Sequence, residues 1–166
     1  ILFVGDDCIP SSDLIFQTLY HHKRYEDFAV QRNVQGRAVW HRDAHPDEFM
    51  KWITCELDSE WNGSGLQFNW RGARGGNGWK EQLDGWYLTT CVSSTREIFE
   101  AEGGFCEEFH TAAHEDTEIG YRFRMRQIPT FFNPQMKVSH LHPVTFDDFL
   151  LRQEKAGYAS LCLCKQ

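Results

Sequence analysis

The apolar positions of this chain fall in short runs between polar turns, and their period changes along its length. Ile1-Leu2-Phe3-Val4 is a continuous apolar run of strand type, the pattern of a buried central strand, and it ends in Gly5-Asp6-Asp7. Pro10-Ser11-Ser12-Asp13 marks a helix start, and the spacing predicts a helix to about His22 with Leu14, Ile15 and Leu19 inward. His21 and His22 at its end complement the helix dipole and read as surface residues. Phe28 to Gln31 predicts a short strand, Gly36 a turn, and Arg37 to Trp40 another strand. Pro46-Asp47-Glu48 opens a second helix, with Phe49, Trp52 and Ile53 at i, i+3, i+4 spacing.

Regular periodicity then stops. Gly63 to Gly85 holds seven of the thirteen glycines, with Trp61, Trp70, Trp79 and Trp86 spread through the same region. Residues 58–85 are therefore expected to be a flexible Gly/Trp-rich loop, and loops of this length are functional or disordered. Trp86 to Val92 returns to strand, and Ser94-Thr95-Arg96-Glu97 matches the S-x-x-E capping box of a helix that carries Phe99 inward and ends at Gly103. A helix follows over Asp116–Arg126, with Ile119 and Phe123 on its core face. Thr130-Phe131-Phe132, the turn Asn133-Pro134 and Met136-Lys137-Val138 predict a last strand pair, ending in Ser139-His140-Leu141-His142-Pro143. Thr145 caps a final helix through Asp148, with Phe146, Phe149 and Leu150 apolar. Strands alternating with helices make the expected class α/β, in one domain over residues 1–166.

Composition narrows the function classes. With 41% hydrophobic and 25% charged residues, the 166 residues suit a globular domain with a real core. A net charge of −7 and the absence of a Lys/Arg run argue against a nucleic-acid partner. No stretch approaches the ~20 apolar residues of a membrane span. Aromatic residues at 14% suit a surface that stacks on flat apolar faces, as well as a Phe-rich core. The six cysteines are irregularly spaced; Cys162-x-Cys164 is too weak for a zinc site, and Cys8 and Cys91 lie in strand-like contexts as buried thiols. Reduced cysteines point to a cytoplasmic protein.

Two stretches carry candidate chemistry. Asp6 and Asp7 follow a strand, where open α/β sheets bind ligands, and paired carboxylates suit a hard divalent cation; the plain alternative is an Asp turn. Gly103 to Arg126 runs GGFCEEFHTAAHEDTEIGYRFRMR. Its adjacent Glu115 and Asp116 repel each other, which a helix N-terminus offsets, and the plain alternative is that one of them caps the helix.

Taken together, ILFVGDDCIPSSDLI, the strand and short helix from Thr89 to Phe105, the Gly-Gly-Phe…Glu-Asp-x-Glu-Ile-Gly-Tyr-Arg string and the His-x-His-Pro tail resemble inverting glycosyltransferases of family 2, which have the GT-A fold. The resemblance implies a GT-A-like mixed sheet flanked by helices. It implies a divalent cation held by Asp6, Asp7 and His140, with Mn²⁺ favoured over Mg²⁺ by the mixed carboxylate and imidazole set. Asp116 maps to the general base, and Glu115 orients the acceptor. His142 is expected to contact phosphate or replace His140 as ligand, and Arg152 with Lys155 to close onto the diphosphate; Trp79 or Trp70 of the loop is expected against a sugar ring, the plain alternative being a surface loop with its Trp tucked onto the core. Arg122 is expected to fix the carboxylates or the helix. The donor would be a UDP-, GDP- or dTDP-sugar and the acceptor a saccharide or glycan.

Two departures matter. The Gln-x-x-Arg-Trp motif of processive synthases is missing at Arg152-Gln153-Glu154-Lys155-Ala156, which favours a single addition. The N-terminal βαβ strands that hold the nucleotide are also missing, so the resemblance begins at the Asp-Asp motif and covers the C-terminal portion of such a domain. An exposed sheet edge is expected there, with self-association as one way to cover it. The location expected is cytoplasmic, extending to the inner face of a membrane. Two other readings use the same residues: a metal-dependent hydrolase, and a noncatalytic carbohydrate- or partner-binding remnant.

Overall fold

The computed structural model describes residues 1–24, 31–53, 87–109 and 113–164. The strand expected at 28–31 falls largely outside them, and the 58–85 loop with Trp70 and Trp79 falls wholly outside. The described residues form a mixed α/β structure around one five-stranded sheet of order β1-β4-β3-β5-β2. The strands are β1 Leu2–Val4, β2 Cys8–Pro10, β3 Asn33–Trp40, β4 Cys91–Ser94 and β5 Thr130–His140. The helices are α1 Leu14–Arg24, α2 Glu48–Ile53, α3 Arg96–Ala101, α4 Glu115–Met125 and α5 Phe146–Leu163. β3 and β5 run parallel, and the other three pairings are antiparallel.

The long strands β3 and β5 change partners part-way. Asn33–Gln35 pairs with β4, whereas β2 pairs only with Val138–His140 at the end of β5. Between these halves the β3–β5 register shifts at Gly36. Gly36 is thus no turn: it sits inside β3, where an added Cβ would lie 2.6 Å from the Met136 carbonyl oxygen and against the Cys91 sulfur. Likewise Thr130–Phe132 and Met136–Val138 are not a strand pair but two parts of β5, joined through Asn133, whose Oδ1 accepts the Gln135 N–H at 2.9 Å. A flat sheet of this order would hold β1 and β2 about 19 Å apart. Only Gly5, Asp6 and Asp7 connect them, and four Cα steps reach about 15 Å, so the sheet has to bend.

β1 is an edge strand and half-buried, not the buried central strand its apolar run suggests. Its alternation serves two faces: Leu2 and Val4 pack with Leu14, Val34, Cys91, Met136 and Val138, while Phe3 packs with Tyr87, Val92, Ile119 and Phe123. No strand among the described residues pairs with its outer side. β4 begins only at Cys91, later than Trp86, because Thr89 and Thr90 form a turn. The cap of α3 is Thr95, whose hydroxyl accepts the Ile98 N–H; Ser94 belongs to β4, and its hydroxyl donates to Asn33 Oδ1 at 2.7 Å.

α1 starts near the expected place but is rotated. Ser11 N–H binds the Lys137 carbonyl at 2.9 Å, which pins the chain to β5 and turns Leu14, Thr18 and His21 inward. Ile15 and Leu19 are exposed instead. His21 is buried, and His22 Nε2 bonds Ser93 Oγ at 2.9 Å, so neither is a surface histidine. Burial, first, and nearby positive charges push both down to about 4. α2 buries Met50 and Ile53 and leaves Trp52 exposed. With Trp40, Ala44, Phe49, Val144 and Phe149 it forms a third apolar group at the β2 end of the sheet.

Candidate functional site

The turn after β1 and the end of β5 meet through backbone pairing. Cys8 lies opposite His140, and the Leu141 N–H donates to the Asp7 carbonyl at 2.9 Å. This register brings Asp7 Oδ2 to 3.0 Å from His140 Nε2. Trp40, opposite His140 on β3, sets its ring edge-on to the imidazole at 5.3 Å between centroids. Burial pushes His140 below the usual histidine range, and the charge of Asp7 and the His142 backbone act against that. Cys8 donates weakly to the other oxygen, Asp7 Oδ1, at 3.6 Å; burial and that carboxylate push its thiol up to about 12.

Asp6 neighbours Asp7 in the turn and is exposed; the pairing with His140 is made by Asp7. A strand continuing past His140 would point His142 the same way. β5 ends at His140, so that alternation stops, and His142 is exposed beyond it. Among the described residues no cluster of three or more His, Cys, Asp or Glu side chains is arranged as a metal cage. The pair Asp7 and His140 offers one carboxylate and one imidazole. Such a donor set fits a cation shared with substrate phosphates, the way Mg²⁺-type ions are commonly held, and does not fit an ion held by protein alone.

The second half of the site opens α4. Ile119 and Phe123 are fully buried, as their spacing predicts, and they anchor the helix on the sheet. His114 takes the N-cap position in a left-handed conformation, φ 67°, and its side chain does not cap the helix. Asp116 Oδ1 accepts the Thr117 N–H at 2.6 Å, so from inside the first turn it satisfies one of the free N–H groups at the helix start. Burial raises Asp116 above the usual carboxylate range, while bonds from Thr117 and the charges of His114 and Arg152 oppose the rise. Burial also raises Glu115, whose Oε2 has no hydrogen-bond partner among the described residues.

Arg152 stands on α5 and is exposed. Its positive charge acts weakly on both Asp116 and His140, behind the effect of burial. Arg122 does not fix Glu115 or Asp116. Its guanidinium binds Glu118 twice at 2.7 Å, donates to the Gly104 carbonyl at 2.7 Å and also to the Glu102 carbonyl. It therefore clamps the Gly103–Gly104 turn, where both residues have φ above +70°. Trp40 and His114 escaped the sequence reading; Trp40 is ordinary strand composition, and His114 stands out only by its place before the acidic pair. No family model, curated protein or solved structure matches this chain.

Proposed function

We propose that this chain is the catalytic side of a metal-dependent inverting glycosyltransferase, moving a sugar from a nucleotide-sugar donor to an acceptor hydroxyl. The observation that carries the reading is the 3.0 Å approach of Asp7 to His140, two residues from opposite ends of the sequence. Asp7 and His140 would hold the cation together with the donor diphosphate, and Asp6 stands beside them in the turn. When bound, the cation supplies Lewis-acid neutralisation of the departing diphosphate. Arg152 on α5 adds positive charge for the same anion.

On the other side Asp116 accepts the proton of the attacking hydroxyl. The hydroxyl oxygen bonds to the anomeric carbon as the bond from that carbon to the diphosphate oxygen breaks, and the diphosphate leaves with the electron pair. A carboxylate raised by burial is a stronger base, which suits this step. Glu115 orients the acceptor, with Oε2 still without a hydrogen-bond partner among the described residues.

The test uses paired substitutions in the protein that carries this chain. Asp116→Asn keeps the shape and removes the basic oxygen. It is expected to lower turnover by about 10²-fold or more, with Mn²⁺ and UDP-sugar binding by calorimetry nearly unchanged. Asp7→Asn is expected to weaken cation and donor binding together. Near wild-type turnover of Asp116→Asn at saturating acceptor would sink the assignment, leaving Asp116 a local turn former.

A further inference from the structure

The C-terminal helix is oddly attached. α5 spans eighteen residues, yet Ala159 alone is fully buried. Phe146, Leu150, Leu151, Tyr158 and Leu161 are largely exposed. Its first turn is secured by the Thr145–Asp148 capping box and by Phe146 and Phe149 against Phe49. Among the described residues its far end meets the body at the polar contact of Ser160 Oγ with His114 Nε2 at 3.0 Å, next to Ala159. The Ser160 hydroxyl also donates to the Ala156 carbonyl at 2.9 Å, so its oxygen accepts from the imidazole N–H. His114 reaches it from a left-handed backbone that L residues rarely adopt, and gives up capping α4 to do so.

We infer that His114 and Ser160 are positioning residues, whose hydrogen bond docks α5, the helix that carries Arg152, on the start of α4. The docked helix carries the cation that faces an anionic diphosphate, and the residue just before the acidic pair decides whether it stays there. The inference deepens the glycosyltransferase reading and rests on it for the identity of the anion.

The experiment combines amide hydrogen exchange over α5 with calorimetric binding of inorganic pyrophosphate in the presence of Mn²⁺. Ser160→Ala removes the acceptor without touching α4. His114→Gly removes the donor and relieves the left-handed backbone, so it is not expected to lower the melting temperature. Each is expected to speed exchange in the second half of α5 and to weaken pyrophosphate by about fivefold, the worth of one hydrogen bond. The double variant is expected to match either single one. Arg152→Ala is expected to weaken pyrophosphate without changing exchange. Unchanged α5 exchange in both single variants overturns the docking contact. Faster exchange with unchanged pyrophosphate affinity overturns its role in holding Arg152. Wild-type protein that binds no pyrophosphate overturns the glycosyltransferase reading, while exchange still decides the docking contact.

Discussion

Gly36 shows how much one missing methyl group controls. Its Cα passes close to both neighbouring strands, and a Cβ there would meet the Met136 carbonyl oxygen at 2.6 Å. Gly36→Ala is therefore expected to destabilise the protein by about 1–3 kcal/mol, the cost of overpacking a filled core, read from the urea midpoint. The Asp7–His140 pair makes a second prediction at this scale. Burial lowers the affinity of His140 for a proton, and the Asp7 charge partly restores it. Asp7→Asn removes that charge, so His140 is expected to titrate at lower pH still, followed by the NMR shift of its ring protons. A rise would show that the carboxylate does not act on this ring.

Among the elements, the acidic helix α4 contains two systems that look alike in sequence. Glu115 and Asp116 open the helix as carboxylates raised by burial, whereas Glu118 and Arg122 form a structural ion pair. The Glu118 side chain is 6% exposed and Arg122 is its partner, so removing Arg122 leaves a buried, uncompensated charge. Arg122→Ala is expected to cost about 3–5 kcal/mol in a urea titration. Arg122→Lys is not expected to restore it, because one ammonium cannot replace a planar fork that reaches Glu118 and two carbonyls together. Full stability of the Lys variant would contradict the clamp. The Gly-Gly-Phe and Glu-x-x-x-Arg parts of the string are thus bound physically: the arginine holds the turn, and Phe105 after it packs on Phe3 and Phe99 at 5.3 Å.

For the whole molecule, the buried His21 and the half-buried His22 on α1 make stability depend on pH. His21 and His22 are pushed down to about 4 by burial first and by neighbouring charges second. In the unfolded chain they titrate near ~6.5. Between these values the unfolded state binds more protons than the folded one, so stability is lost as pH falls from about 6.5 toward 4. Urea midpoints are expected to fall over that window, and less steeply in a His22→Gln variant. A flat profile from pH 7 to 4 would mean that the imidazoles accept protons without leaving their sites. No helix among the described residues is long and apolar enough to cross a membrane.

Local chemistry was legible without the fold. The Thr145–Asp148 capping box, the inward Ile119 and Phe123, and the turn character of Gly5-Asp6-Asp7 each depend on residues a few positions apart, which the sequence by itself determines. The presence of Asp7, Asp116, His140 and Arg152 as candidates was likewise legible, because charged residues at element ends are visible one by one. What only the tertiary structure decided depends on partners far away in the chain. A four-residue apolar run is the same in an edge strand and a central one; the strands beside it make the difference, and among the described residues β1 has one partner. The inward face of α1 was set by the Ser11–Lys137 bond, which propensity cannot see. Gly36 and Asn133 look like turn residues, yet parallel pairing of β3 with β5 carries both strands through. Asp7 rather than Asp6 meets His140 because Asp7 directly precedes β2, whose long-range register with β5 sets Cys8 opposite His140.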